Sequence, residues 1–253
     1  MYKQLISAAA LVVLMTTSAS SGVIKGSKHD LSAGGDAQVG AGGEICVFCH
    51  TPHGSNTTAA VPLWNKTLTD PSSYTLYNAT SSSTIDGDVA AVGSVSLACL
   101  SCHDGTQAMD AVLNVEGSGG YNASGSGGTT TMAGDITTPG TGGAIPNLNT
   151  DLTNDHPVGI EYGSLTGDSA QYQALSGTSP QQWVDTTGPG VREKADLTLY
   201  DRGDGTARVE CATCHDPHNG PLDSAGAPDV GAAGTFLRIA NTNSAVCLTC
   251  HIK

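Results

Sequence analysis

Eight cysteines and eight histidines carry the chemistry open to this chain, and half of the histidines are tied to the cysteines by spacing. The cysteines form four pairs, each followed at once by histidine: "CVFCH" at 46–50, "CLSCH" at 99–103, "CATCH" at 211–215 and "CLTCH" at 247–251. C-x-x-C-H is the attachment motif of c-type haem. Its spacing has a geometric reason: two thiols bond the two vinyl groups on one porphyrin edge, which brings the adjoining imidazole onto one face to bind iron. Disulfides, redox dithiols and zinc sites are the rival uses of paired cysteines. None of them explains a histidine after every pair. The sequence therefore predicts four covalent c-type haems (iron) on Cys46, Cys49, Cys99, Cys102, Cys211, Cys214, Cys247 and Cys250, with His50, His103, His215 and His251 as proximal ligands.

Each iron has a second face, and four histidines remain: His29, His53, His156 and His218. The equal count predicts bis-histidine ligation throughout. His53 follows His50 by three residues in "CHTPH", and His218 follows His215 likewise in "CHDPH". Side chains three apart on a helical turn project to the same side. The chain cannot round a porphyrin edge in so few residues, so each second histidine serves a different haem and clips two haems together. Ligand order along the chain suggests His29 for the first haem, His53 for the second, His156 for the third and His218 for the fourth. Met109 and Met132 are expected to pack rather than to ligate.

Composition poses the complementary problem. Leu, Ile, Val and Phe make up just under 19% of the 253 residues, and the net charge is −13. Such a chain falls in the range of disorder unless something else supplies an apolar interior. Four porphyrins would supply it. Residues 1–20 read as a signal peptide, with Lys3, an apolar run from Leu5 to Met15 and a small-residue end at Ser18-Ala19-Ser20. The run is too short to span a bilayer, so the exported protein is expected to have no membrane span. Losing Lys3 takes the net charge to −14, which disfavours nucleic acid and anionic membrane as partners.

The mature domain, 21–253, repeats its landmarks: a lone histidine, C-x-x-C-H-x-P-H, then a plain C-x-x-C-H. Two duplicated dihaem halves, about 21–116 and 151–253, would join through a Gly/Thr-rich segment, with "PLWN" (62–65) and "FLRIAN" (236–241) in matching places. The expected fold is mostly irregular coil wrapped around four haems, with a few short helices, a β-hairpin and no large apolar core. Residues 95–114 are the best helix candidate, 197–211 read as a hairpin around Asp204-Gly205, and "AVCLTCH" as a helical turn. The aspartates of that hairpin fit a plain turn better than a calcium loop.

With no iron left open, electron transfer is favoured over catalysis by a multihaem reductase, and the chain is expected not to be an enzyme. The segments "CVFCHTPHG…PLWN", "CLSCHDG", "NDHPVG" and "CATCHDPHNG" resemble the OmcE-type tetrahaem nanowire cytochromes, outer-surface proteins of metal-reducing bacteria. That resemblance implies an extracellular homopolymer, with one haem ligated by a histidine of the adjacent subunit, for which His29 is the first candidate. It also implies redox partner cytochromes and an external acceptor such as a metal oxide or electrode. A soluble periplasmic tetrahaem shuttle is the alternative.

Overall fold

The computed structural model describes residues 24–33, 42–78, 82, 85, 87–117, 120–131, 147–163, 171–186, 188, 190–219 and 236–252. The expected signal peptide, Met132 and half of the Gly/Thr-rich join lie outside them. Most of the described chain is irregular. Short 3-10 turns at Cys46–Phe48, Pro71–Ser73 and Thr242–Ser244 accompany three helices, α1 (Ser94–His103), α2 (Cys211–Cys214) and α3 (Ala245–Cys250). Five strands complete the set: β1 (Ile160–Glu161), β2 (Ser176–Thr178), β3 (Gln181–Val184), β4 (Leu197–Tyr200) and β5 (Arg208–Val209).

The strands form one antiparallel sheet in the order β1-β5-β4-β3-β2, so the expected hairpin, β4–β5, is there but extends into a larger sheet. Leu197 and Leu199 alternate onto one face and are almost wholly buried. Tyr162, Val184, Ala207 and Val209 complete a cluster of ordinary hydrophobic packing around them. In the β4–β5 turn, Asp201 accepts from the backbone N–H groups of Gly203, Asp204 and Gly205, while Asp204 pairs with Arg208. These carboxylates are thus engaged within a plain turn.

Helix α1 is shorter than the expected 95–114. Asp104 caps it, and its carboxylate accepts from the N–H and hydroxyl of Thr106, while Gly105 takes a left-handed φ of +71° that ends the helix. Beyond it, Ala108, Met109, Ala111, Val112 and Leu113 are buried but not helical. Their carbonyls find another partner: the wholly buried Lys66 ammonium donates to the carbonyls of Ala108 (2.8 Å), Met109 (3.3 Å) and Ala111 (2.8 Å). Burial pushes the Lys66 pKa down, and the surrounding thiols and carboxylates partly offset that. Met109 packs with Leu31 and Phe48, as expected of an ordinary core methionine.

Buried Glu210 joins the helices to the sheet. It accepts from Ser96 on α1, pairs with Arg202 at 2.6 Å and forms a capping box with Thr213 on α2. Gly93 at the α1 N-cap leaves room for this carboxylate, since a Cβ there would lie 2.2 Å from its oxygen. Among the described residues no helix is long and apolar enough to cross a membrane.

Candidate haem-binding site

The two C-x-x-C-H-x-P-H segments fold into the same clip. In the first, His50 N–H closes on the Cys46 carbonyl (2.8 Å), Thr51 N–H on Leu63 O (2.8 Å) and Asn65 N–H on Cys49 O (2.8 Å). In the second, the same bonds run from His215 to Cys211 (3.1 Å), from Asp216 to Phe236 (2.8 Å) and from Arg238 to Cys214 (2.8 Å). Side chains repeat the pattern: Asn65 reaches back to the Val47 carbonyl, and Arg238 to that of Ala212. Leu63 and Phe236 both hold a left-handed φ, +56° and +51°, a conformation non-glycine residues adopt at some cost. The two segments read as corresponding, "PLWN" and "FLRIAN", thus sit in matching places, with Trp64 opposite His50 and Leu237 opposite His215.

Each clip places two thiols one helical turn apart, with an imidazole beside the second, as attachment to a porphyrin edge requires. The last motif closes likewise, His251 N–H on Cys247 O at 2.9 Å, and is tied down by Gln173 N–H on the Cys250 carbonyl. All eight cysteines are free thiols. Burial raises Cys49 and Cys250 to about 12 and pushes Cys102 and Cys214 up as well. Such thiols are poor thiolates, whereas the neighbouring Cys99 lowers Cys211. Among the described residues, no group of three or more His, Cys, Asp or Glu side chains gathers as it would around one ion.

Two pairs of imidazoles face each other, and His29 also senses His215 and His218. His29 faces His103 with ring centres 6.1 Å apart, and His50 faces His218 at 6.1 Å with the rings nearly parallel. Two imidazoles on opposite faces of one iron would have centres about 6 Å apart: two metal–nitrogen bonds of about 2 Å plus about 1 Å to each ring centre. The tautomers also suit ligation. His50 Nδ1 is held by the Pro62 carbonyl (2.7 Å), His156 Nδ1 by the Pro157 carbonyl (3.0 Å) and His218 Nδ1 by Asp216 (3.1 Å). A metal-binding imidazole characteristically donates its other nitrogen in this way. Burial, then the neighbouring His103, lowers the His29 pKa to about 4 and keeps it neutral, as a ligand must be. Its Nδ1 is buried without a well-formed hydrogen bond, beside the backbone of Pro217. The residues present therefore fit haem.

These pairs differ from those that ligand order suggested. His29 stands against the second motif's histidine rather than the first's, and His218 against the first motif's rather than the fourth's. Spatial order comes from chain crossings that ligand order does not encode. His53 and His156 are exposed and stand against no other imidazole among the described ring contacts. The thiols also establish neighbours: Cys49 is close enough to sense Cys102, Cys99 to sense Cys211, and Cys214 to sense Cys247. Each motif thus lies within electrostatic reach of the next. Cys46 and Cys247, in the outermost motifs, are the two exposed cysteines.

Reading motifs alone missed the groups behind the imidazoles. Asp216 is visible in the sequence as the one acidic residue inside a clip, "CHDPH" against "CHTPH". Burial opposes its ionisation, but the backbone N–H of His218 and the charge of Arg238 outweigh this and lower its pKa. No protein-family model matches the chain, and a search of curated proteins finds no match either.

Proposed function

We propose that this chain is an electron-transfer protein carrying four c-type haems, attached through the four cysteine pairs and ligated by His50, His103, His215 and His251 on one face. His29, His53, His156 and His218 serve the opposite faces. One observation carries the reading: two motif histidines each face a sequence-distant spare histidine at the spacing that a shared iron demands. Haem supplies a one-electron carrier of low potential when both axial ligands are imidazole. The chain's part is to orient those imidazoles, as the Nδ1 contacts of His50, His156 and His218 do, so that ligation need not change with oxidation state.

The nearness of the thiols of successive motifs supports passage of electrons in chain order, from the first motif to the fourth, with exposed ends for entry and exit. We place this activity in an extracellular filament of identical subunits, on the resemblance to the OmcE-type cytochromes, delivering electrons to an external acceptor. His29 is then unsuited to cross between subunits, because it packs on His103 and on Phe236 (ring centres 4.2 Å) of its own chain. Exposed His53 and His156 are the better bridging ligands. The test is haem content and coordination of the exported protein, followed by negative-stain microscopy. Four low-spin haems per chain and threads are expected. A high-spin, carbon-monoxide-binding haem in the intact assembly would overturn the carrier reading, and isolated particles with four low-spin haems would overturn the filament.

A further inference from the structure

The two clips share a backbone but differ at the residue between the motif histidine and the proline. In the second clip this is Asp216, buried, whose Oδ1 accepts from both the backbone N–H (2.9 Å) and the Nδ1 (3.1 Å) of His218. In the first clip it is Thr51, whose hydroxyl donates to the His53 carbonyl and offers the ring no charge. His50, whose ring faces that of His218, donates only to the neutral carbonyl of Pro62. Arg238 approaches Asp216 to no nearer than 3.8 Å, so the imidazole is the carboxylate's closer side-chain partner.

We propose that Asp216 is a positioning and tuning residue: through His218 it lowers the reduction potential of the haem bound between His50 and His218. The inference rests on the reading of His218 as an axial ligand. A carboxylate accepting from Nδ1–H gives the ring partial imidazolate character and makes Nε2 a stronger donor to iron. A stronger donor favours the ferric over the ferrous state, so the one-electron reduction of that iron becomes harder. The proton stays on Nδ1 in both oxidation states, and the electron comes from the redox partner. The first clip has no such device, so the chain holds haems of unequal potential although their ligands are alike.

The experiment is a spectroelectrochemical titration of the full haem-loaded protein with low-temperature electron paramagnetic resonance, after a haemochrome count. Asp216→Asn keeps an acceptor and removes the charge. Four low-spin haems should remain, with one potential raised by a tenfold change in its reduced-to-oxidised ratio, about 59 mV for one electron. One resonance signal should change and the rest persist. Asp216→Glu should restore the potential, and Thr51→Asp should lower that of a different haem. Four low-spin haems with unmoved potentials in Asp216→Asn, or all four shifting together, would overturn the inference while leaving the haem reading intact. A chain without haem would overturn both. If Asp216→Asn does not fold, Thr51→Asp decides alone: no lowered potential would overturn the inference.

Discussion

The first and second clips are one design placed in two settings. Cys46–Asn65 and Cys211–Arg238 close the same three backbone bonds and hold Leu63 and Phe236 in the same left-handed conformation. Their surroundings differ in the charges they bury. Behind the first lies a buried cation, Lys66, close enough to sense Cys49 and Cys102. Behind the second lie two buried carboxylates, Glu210 and Asp216. The same backbone geometry with different buried charges teaches that the backbone fixes where the motif thiols and imidazoles sit, while side chains outside the motif set their electrostatic surroundings.

Removing the motif cysteines should separate the two clips most. Cys211→Ala with Cys214→Ala is expected to cost one haem by mass and to lower the melting temperature of the sheet, because α2 packs on both α1 and β4. The matching change at Cys46 and Cys49 should cost one haem and leave the sheet's melting intact. Next comes Lys66→Met, which strands the close carbonyls of Ala108 and Ala111. Each such loss costs about 1–3 kcal/mol, so a destabilisation of about 3 kcal/mol is expected in chemical denaturation, with lower potential at the neighbouring haems. Arg202→Ala should cost about 2 kcal/mol by the same measurement, because buried Glu210 loses its ion pair but keeps Ser96 and Thr213.

The smallest effect is expected from Asp204→Asn, in the hairpin that leads into the second clip. Arg208 holds the Asp204 carboxyl at about 2, below its ordinary 3.8. A depressed carboxyl contributes stability that is fully present above the unfolded value and lost as pH falls through the folded one. Wild-type and variant melting temperatures should therefore differ slightly at neutral pH and converge as pH falls from about 4 to about 2.

What was legible in the sequence is what is local. The C-x-x-C-H turns, the hairpin at 197–211 and the helical turn of Ala245–Cys250 follow from neighbouring residues, and the structure has them. Partners distant along the chain were not legible: which spare histidine faces which motif depends on crossings that no motif encodes. The extent of α1 was overread because Ala108–Leu113 is apolar enough to be buried. Its carbonyls are satisfied by the Lys66 ammonium rather than by helical bonds, and nothing periodic marks that substitution. Strands β1, β2 and β3 escaped notice because two to four residues are too few to show alternation.

The sheet's hydrophobic cluster has a consequence for how the protein matures. Tyr162, Val184, Leu197, Leu199 and Val209 pack on one another with no need of a prosthetic group. This is the part of the chain able to condense ahead of ligation, and it ends two residues before Cys211. It would then serve as a jig, presenting the third motif's thiols to the attachment machinery on an already rigid edge while the segments around the first motif are still being wound into place.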